Sequence, residues 1–272
     1  MRVLVSVDME GVAGVVAPDD ISPGHPEYER NRAYMTDEAS AAVRGVLSYD
    51  GQASVVVCDA HARFRNILPD RLVRGCTLLR GSPRTHGMMT GIDTTVDAVC
   101  YVGYHGKAGT ARSVLAHTVS GSTIAQVRCN GQELGELGLN AALAAHYGAV
   151  PVLATGDDTL AREAKSIAPG ITTVAVKQAF GNRAAEGLHP AESCSRIESA
   201  ATTALANRAD VQAPVFAGEV DLEVDVLRPV MTELACLIPG VELRGPLTLG
   251  FRAADFPAAY NLIDVITVLA AA

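Results

Sequence analysis

The feature that most constrains the fold is an alternation of short apolar runs, rich in β-branched residues, with longer runs rich in Ala and Leu. The short runs are apolar at consecutive positions, as expected of strands buried on both faces. The predicted strands are residues 3–7, 54–58, 77–79, 98–103, 151–155 and 172–176, and the predicted helices are residues 27–49, 134–147, 158–167 and 190–206. This repetition predicts an α/β fold with a mostly parallel, doubly wound sheet and helices on both faces.

Two regions depart from this alternation. Residues 113–127 resemble two short strands around Ser120-Gly121-Ser122, which predicts a hairpin. After about residue 206, a strand with alternating acids (215–226), a short helix (229–237), a strand (241–251) and a final helix (255–269) are predicted. We therefore expect a metal-binding catalytic domain over residues 1–205, with a hairpin insertion near 113–127, and a small α+β subdomain over residues 206–272.

Composition excludes several classes of protein. The chain has 272 residues, 49% of them hydrophobic, a net charge of −8 and no basic run, so nucleic-acid binding is not expected. No stretch of about 18 apolar residues is present, so no membrane span is expected. The opening segment lacks the form of an export signal. The six cysteines form no CxxC pair, which favours reduced, buried thiols in a cytoplasmic protein.

The strongest local motif is Ser6-Val7-Asp8-Met9-Glu10-Gly11. Residues two apart on a strand share a face, so Asp8 and Glu10 are expected to converge just past the end of the first strand. Two adjacent carboxylates repel unless a cation or a shared proton lies between them. The motif taken alone is more typical of a solvated acidic loop at the end of a strand than of a site.

Two histidines are placed for the same edge of the sheet. His61 follows the second strand and His105 follows the fourth. Ligands of open α/β sheets bind outside the carboxyl ends of the strands. A single histidine at such a position is most simply a capped, hydrogen-bonded side chain. The convergence of Asp8, Glu10, His61 and His105 instead favours a zinc site or a similar divalent-metal site.

Two further residues fit this interpretation. His117, in the predicted hairpin, is suited either to ligate a metal or to act as an acid or base. Glu136 opens a largely apolar helix between two glycines. An acid in a first helical turn also interacts favourably with the helix dipole, so Glu136 alone identifies no site.

In their order along the chain, these motifs resemble those of the DppA-type D-aminopeptidases, peptidase family M55. The resemblance extends from Met1 to about Gln178 and continues more weakly to the C-terminus. It is carried by Ser6–Gly11, Asp59-Ala60-His61, Gly103-Tyr104-His105, His117, Gly135–Asn140, Gly156-Asp157-Asp158 and Ala175–Gln178.

The resemblance implies an aminopeptidase with two zinc ions per subunit, acting on short peptides that begin with a D-amino acid. It implies that Asp8 bridges the two ions, with Glu10 and His61 on one and His105 and Glu136 on the other. His117 would be the catalytic residue that is not a ligand, and Asp59 would orient a ligand. No other cofactor is implied. The family also implies a homo-oligomer, resembling a ring of ten subunits.

Residues 80–93, which include His86 and Met88, depart from the family pattern, as does the C-terminal region in detail. Both segments are predicted to shape the substrate pocket. Alternative functions are another two-metal amidase or esterase on the same scaffold, and a peptide-binding protein without catalysis. A purely structural interaction protein is a third alternative, and it predicts no bound metal.

Overall fold

The computed structural model describes residues 1–270. Its strands are β1 (Arg2–Val7), β2 (Ser54–Asp59), β3 (Cys76–Leu79), β4 (Ala98–Tyr104), β5 (Ile124–Cys129), β6 (Gln132–Glu133), β7 (Val150–Asp157), β8 (Thr172–Gly181), β9 (Ala184–Gly187), β10 (Val220–Val226), β11 (Glu242–Leu243) and β12 (Thr248–Ala253). Its helices are α1 (Pro18–Ile21), α2 (Pro26–Tyr49), α3 (Glu136–His146), α4 (Asp158–Ile167), α5 (Pro190–Ala206), α6 (Pro229–Ala235) and α7 (Phe256–Ala270).

The larger sheet has the strand order β3-β2-β1-β4-β7-β8-β9. All of its pairings are parallel except that of β8 with β9. The chain leaves β1 for β2 on one side, and β4 later pairs with β1 on the other side. The strand order therefore reverses between β1 and β4, and such a switch point opens a crevice at the carboxyl ends of the strands.

Helices cover both faces of this sheet. Val3, Val5 and Val7 of β1 pack in one core with α2 and α5. Leu4 packs in the opposite core, which also contains apolar residues of α3, α4 and α7. The alternation follows from the two-residue period of a strand. The prediction of an α/β fold with a mostly parallel, doubly wound sheet is confirmed.

The smaller sheet is antiparallel, with the order β11-β12-β10-β5-β6. Along β10, buried residues alternate with half-buried acids, as predicted for a strand with one solvated face. Because β5 and β6 come from residues 124–133, this sheet is not built from the C-terminal segment alone. The boundary at residue 206 stays a prediction, and residues 271–272 of the predicted subdomain lie outside the described residues.

The boundaries of α4 and α5 match the prediction to the residue. The hairpin predicted around Ser120-Gly121-Ser122 is wrong, because residues 113–123 form turns. The amide of Val114 there donates to the carboxylate of Asp157 (2.8 Å) rather than to a neighbouring strand. The hairpin instead joins β5 to β6 across Asn130-Gly131, where both residues have positive φ, as a tight two-residue turn requires.

Two other predicted strands begin or end differently. The strand predicted over residues 215–226 starts only at Val220. The strand predicted over residues 241–251 is two strands, β11 and β12, separated by a turn in which the amide of Arg244 donates to the carbonyl of Thr248. Gly245-Pro246 explains this break, since such a pair favours a turn over a continuous strand. Within residues 1–270, no helix combines the length and apolarity needed to cross a bilayer.

Candidate metal centre

The structure brings all six predicted site residues together at the switch point. Asp8 and Glu10 follow β1, His61 follows β2 and His105 follows β4. Glu136 is the first residue of α3, and His117 lies in the loop between β4 and β5. Asp8, Glu10, His61, His105 and Glu136 are all buried, whereas His117 is half-buried.

The turn after β1 lies directly against the end of β4. The amide of Asp8 donates to the carbonyl of Val102 (2.8 Å), and that of Gly11 donates to the carbonyl of Gly103 (2.7 Å). A Cβ atom at position 11 would lie 1.9 Å from the carbonyl oxygen of Tyr104. Only glycine permits this approach, which holds Asp8 and Glu10 beside the residues that follow β4.

One group of possible ligands consists of Asp8, Glu10 and His61. The Nδ1 atom of His61 lies 3.3 Å from Oδ1 of Asp8 and 3.0 Å from Oε2 of Glu10. The other ring nitrogen, Nε2, faces the backbone carbonyl of Ile21 at 3.3 Å. That contact favours the tautomer with a proton on Nε2, which leaves Nδ1 free as a ligand.

A second group consists of Asp8, His105 and Glu136. The Nε2 atom of His105 lies 3.4 Å from Oδ2 of Asp8 and 3.3 Å from Oε2 of Glu136. The Nδ1 atom of His105 lies 3.0 Å from the carbonyl oxygen of Gly106, which orients the ring. Asp8 therefore belongs to both groups, and each of its carboxylate oxygens faces a different histidine.

Several of these buried atoms lack hydrogen bonds. Oδ2 of Asp8, Oε2 of Glu10 and Nε2 of His105 have no hydrogen-bond partner, although each lies close to other potential ligand atoms. Buried polar atoms are normally satisfied. Imidazole nitrogens and carboxylate oxygens in such clusters are the donors that zinc takes, so the side chains fit a zinc site.

The side-chain pKa values reflect the crowding of charges. Burial, followed by the negative charge of Glu10, raises the pKa of Asp8 well above its usual value. Burial also acts to raise the pKa of Glu10, but the positive charge of His61 outweighs it and leaves that pKa well below its usual value. Burial lowers the pKa of His105, but Glu136 and the other acids raise it well above normal. Despite their burial, the raised pKa values of His61 and His105 thus follow from the negative charges packed around both rings.

His117 lies at the mouth of the cluster. Its Nδ1 atom faces the carbonyl oxygen of Leu115 at 2.8 Å, and its ring stacks on that of His105 with the centroids 4.2 Å apart. Its Nε2 atom lies 3.5 Å from Oε1 of Glu136 and 3.9 Å from Oε1 of Glu10. Glu10, His105 and His117 form a third possible ligand group, so the geometry alone allows His117 either role predicted from the sequence.

Asp59 acts on His61 through the backbone and not through its ring. The Asp59 carboxylate accepts hydrogen bonds from the amides of Asn66 and Ile67, and from the side chain of Asn66. The Asn66 side chain also donates to the carbonyl of His61 (2.7 Å). Asp59 thereby fixes the loop that carries His61.

Sequence reasoning gave no role to Lys177, although the segment Ala175–Gln178 is part of the family resemblance. This buried side chain of β8 donates to the backbone carbonyls of Glu10 (2.7 Å), Val12 (2.9 Å) and Val15 (2.6 Å). Burial lowers the pKa of Lys177 to about 8. The available signal was that Lys177 is the one charged residue of β8, next to the apolar run Val174-Ala175-Val176, which indicates a specific internal partner. Lys177 fixes the loop that follows Asp8.

A cavity of about 610 Å³ opens over the cluster. The predicted site residues Asp8, Glu10, His61, His117 and Glu136 are among those that line it. Both segments that depart from the family pattern also line the cavity, through Ser82, Pro83, Arg84, Gly87 and Met88 in one and Asp264, Thr267 and Val268 in the other. This volume is appropriate for a small organic ligand such as a short peptide.

The chain is similar in both sequence and structure to known D-aminopeptidases. The sequence model of the D-aminopeptidase family, peptidase family M55, matches residues 1–265. The chain is 34% identical to a D-aminopeptidase of Bacillus subtilis (strain 168), over 99% of this chain and 98% of that protein. Its structure is similar to that of the Zn-dependent D-aminopeptidase DppA from Bacillus subtilis, described as a self-compartmentalizing protease. The TM-score is 0.96, with 31% identity, over 100% of this chain and 98% of the other.

Proposed function

The chain belongs to the M55 family of D-aminopeptidases and is a metal-dependent aminopeptidase, and from this premise we propose that each subunit holds two zinc ions bridged by Asp8. The observation that carries the proposal is the position of Asp8 in both ligand groups, with Oδ1 towards His61 and Oδ2 towards His105. Glu10 and His61 complete one site, and His105 and Glu136 complete the other.

Zinc held by these residues would supply a water of lowered pKa and would polarise the carbonyl of the scissile bond. The protein side chains balance the charge of the cations and transfer protons. Asp8, Glu10 and Glu136 offset the positive charge of the cations. His117, at the mouth of the cluster, is the proposed catalytic residue, and its Nε2 atom moves a proton to the leaving amine or stabilises the negative oxygen of the reacting carbonyl.

The proposed substrates are short peptides with an N-terminal D-amino acid. The name of the family and those of both relatives support this preference. The competing function is that of an amidase or esterase with the same metal centre. A panel of peptides, aminoacyl amides and esters, each with a D- or an L-residue at the amino end, separates the two. We expect the highest kcat/KM for D-peptides, whereas faster cleavage of esters would favour the alternative.

Elemental analysis tests the metal part of the proposal. Protein purified without chelators is expected to contain two zinc atoms per subunit and to lose activity on dialysis against a chelator. Activity should return when zinc is added. One zinc atom per subunit in fully active protein would contradict the two-ion proposal.

We further propose that the chain forms a homo-oligomer. The solved relative is described as self-compartmentalizing, and a ring of ten subunits is the assembly predicted from the family. The predicted cytoplasmic location stays a prediction.

A further inference from the structure

Two cationic side chains line the cavity without serving the metal centre, and of these Arg63 is exposed whereas Arg84 is half-buried. Arg84 follows β3, within the segment that departs from the family pattern, and shares the cavity with Asp8, Glu136 and His117. None of the roles proposed above involves this residue. Its surroundings indicate what it binds.

The guanidinium group of Arg84 is held in a fixed position. Its Nη2 atom donates to the backbone carbonyl of Asp59. Its Cζ atom lies 3.7 Å from the ring centroid of Phe64, a stacking arrangement that arginine favours. Phe64 itself has a φ of 57°, a conformation that is rare for a large side chain. The backbone thus adopts an unusual conformation at the residue on which Arg84 stacks.

The other nitrogens of Arg84 have no partner. Both Nε and Nη1 are buried and make no hydrogen bond. Asp264 on α7 lines the same cavity, but no ion pair joins it to Arg84 within residues 1–270. Leaving two buried donors of a cation without an acceptor is costly, because Nε and Nη1 have lost their hydration and only the contacts with Asp59 and Phe64 offset that loss. An anion that enters the cavity would remove this cost.

The chemistry of a short peptide identifies that anion. In an aminopeptidase the amino end of the substrate lies at the metals, so the carboxyl end lies farther away. The terminal carboxylate is the one anionic group that every unmodified short peptide carries. Guanidinium groups bind carboxylates through strong, charge-assisted hydrogen bonds.

We infer that Arg84 binds the C-terminal carboxylate of the substrate, so that the enzyme prefers peptides short enough to reach from the metal centre to Arg84. This inference rests on the proposed function, because it assumes that the amino end of the peptide lies at the metal centre. Arg84 is thus a substrate-binding residue that determines specificity for peptide length.

The test compares D-Ala-Gly with its C-terminal amide, which lacks the negative charge. For the zinc-loaded enzyme we expect a kcat/KM at least about 10-fold higher for the free acid. Arg84→Met is expected to lower kcat/KM for the acid by about 10- to 100-fold and to change that for the amide by less than about 2-fold. Arg84→Lys should recover part of the preference, because it keeps the charge but not the planar group.

Two control variants separate the possible explanations. Arg63 also lines the cavity but is exposed, so Arg63→Met should leave the ratio of acid to amide unchanged. Asp264→Asn should not lower this ratio. If Asp264→Asn lowers it as much as Arg84→Met does, Arg84 acts through Asp264 and the inference is wrong. An equal loss on acid and amide in Arg84→Met would show a structural role and would also overturn it.

A direct binding measurement tests the preference for the free acid independently of turnover. Calorimetric titration of the wild type and of Arg84→Met with each compound measures the same preference. If the wild type cleaves neither compound, the proposed function fails. The inference about Arg84 still stands or falls on whether the acid binds more tightly than the amide and whether Arg84→Met removes that difference.

Discussion

At the scale of single residues, Asp8 is distinguished by its two carboxylate oxygens, which face different histidines. Asp8→Ala should therefore lose both zinc ions, whereas Glu10→Gln and Glu136→Gln should each weaken one site and keep the other. Metal content after gel filtration measures this. Asp157→Asn is the matched control, since Asp157 is a buried acid at the end of β7 that belongs to none of the three ligand groups. A fully metallated Asp8→Ala protein would refute the bridging role.

The variant His117→Ala tests whether His117 is a catalytic residue or a zinc ligand. His117→Ala should lower kcat by about 10²- to 10⁴-fold, the usual contribution of a positioned acid or base. Its zinc content should remain that of the wild type, because neither proposed site depends on this ring. Loss of one zinc would assign His117 to the alternative group with Glu10 and His105 and would remove it as the catalytic residue.

Five of the six central residues could be predicted because each lies just after a strand or at the start of a helix, whereas His117 lies in a loop and its catalytic role was predicted from the family resemblance. Because the strands are parallel, their carboxyl ends lie at the same edge of the sheet, so the residues that follow them are expected to lie close together. The sequence did not predict the roles of Lys177 and Asp264, nor that two nitrogens of Arg84 lack a partner. Their roles depend on which distant segments pack together, and local patterns carry no such information.

At the scale of elements, Lys177 connects β8 to the loop that follows β1. Lys177→Met should leave three buried carbonyl groups without a donor and lower the free energy of unfolding by about 2 kcal/mol or more. It should also speed zinc dissociation, because the carbonyl of Glu10 is among the three. Denaturant unfolding and a chelator assay measure both effects. Lys165→Met, at an exposed position of α4, should change neither.

Helix α7 contributes an acid to the cavity, and this acid makes stability depend on pH. Burial raises the pKa of Asp264 from 3.8 to about 6. The folded state therefore binds this proton more tightly than the unfolded state does. The resulting destabilisation is absent at low pH, grows as the pH rises from about 4 to 6, and is constant above that.

Asp264→Asn should remove this pH-dependent cost. Relative to the wild type, the variant should gain about 1–3 kcal/mol of unfolding free energy at pH 8 and less at pH 5. Denaturant unfolding with zinc held at saturation measures the difference. A gain that is the same at both pH values would show that ionisation of Asp264 is not its cause.

At the scale of the whole molecule, the second sheet shows what local patterns leave open. The alternation of acids along β10 predicted a strand with one solvated face, but not that β5 pairs with it. Arg128 on β5 donates to Glu223 (2.8 Å) and Asp225 (2.7 Å) on β10. This pairing joins segments almost a hundred residues apart, so it is determined by the packing of the whole chain and not by either strand alone.

The exposed apolar side chains indicate which part of the molecule takes part in the proposed assembly. Within residues 1–270, large hydrophobic side chains that are exposed come from the C-terminal part, with the exceptions of Tyr49 and Phe180. They are Val215, Leu227, Val230, Leu237, Leu243, Val265 and Val268. Apolar surface of this kind is stabilised when a subunit interface covers it.

Leu237, which is 77% exposed, is the clearest position for a test. Leu237→Asp should weaken self-association by placing a charge in the interface, and light scattering after gel filtration should then report smaller species. Phe180→Asp is the matched control, because Phe180 is 59% exposed but lies on β8 in the larger sheet. Dissociation caused by Phe180→Asp alone would place the interface at the larger sheet. A wild-type protein that is monomeric at all concentrations would refute the proposed assembly.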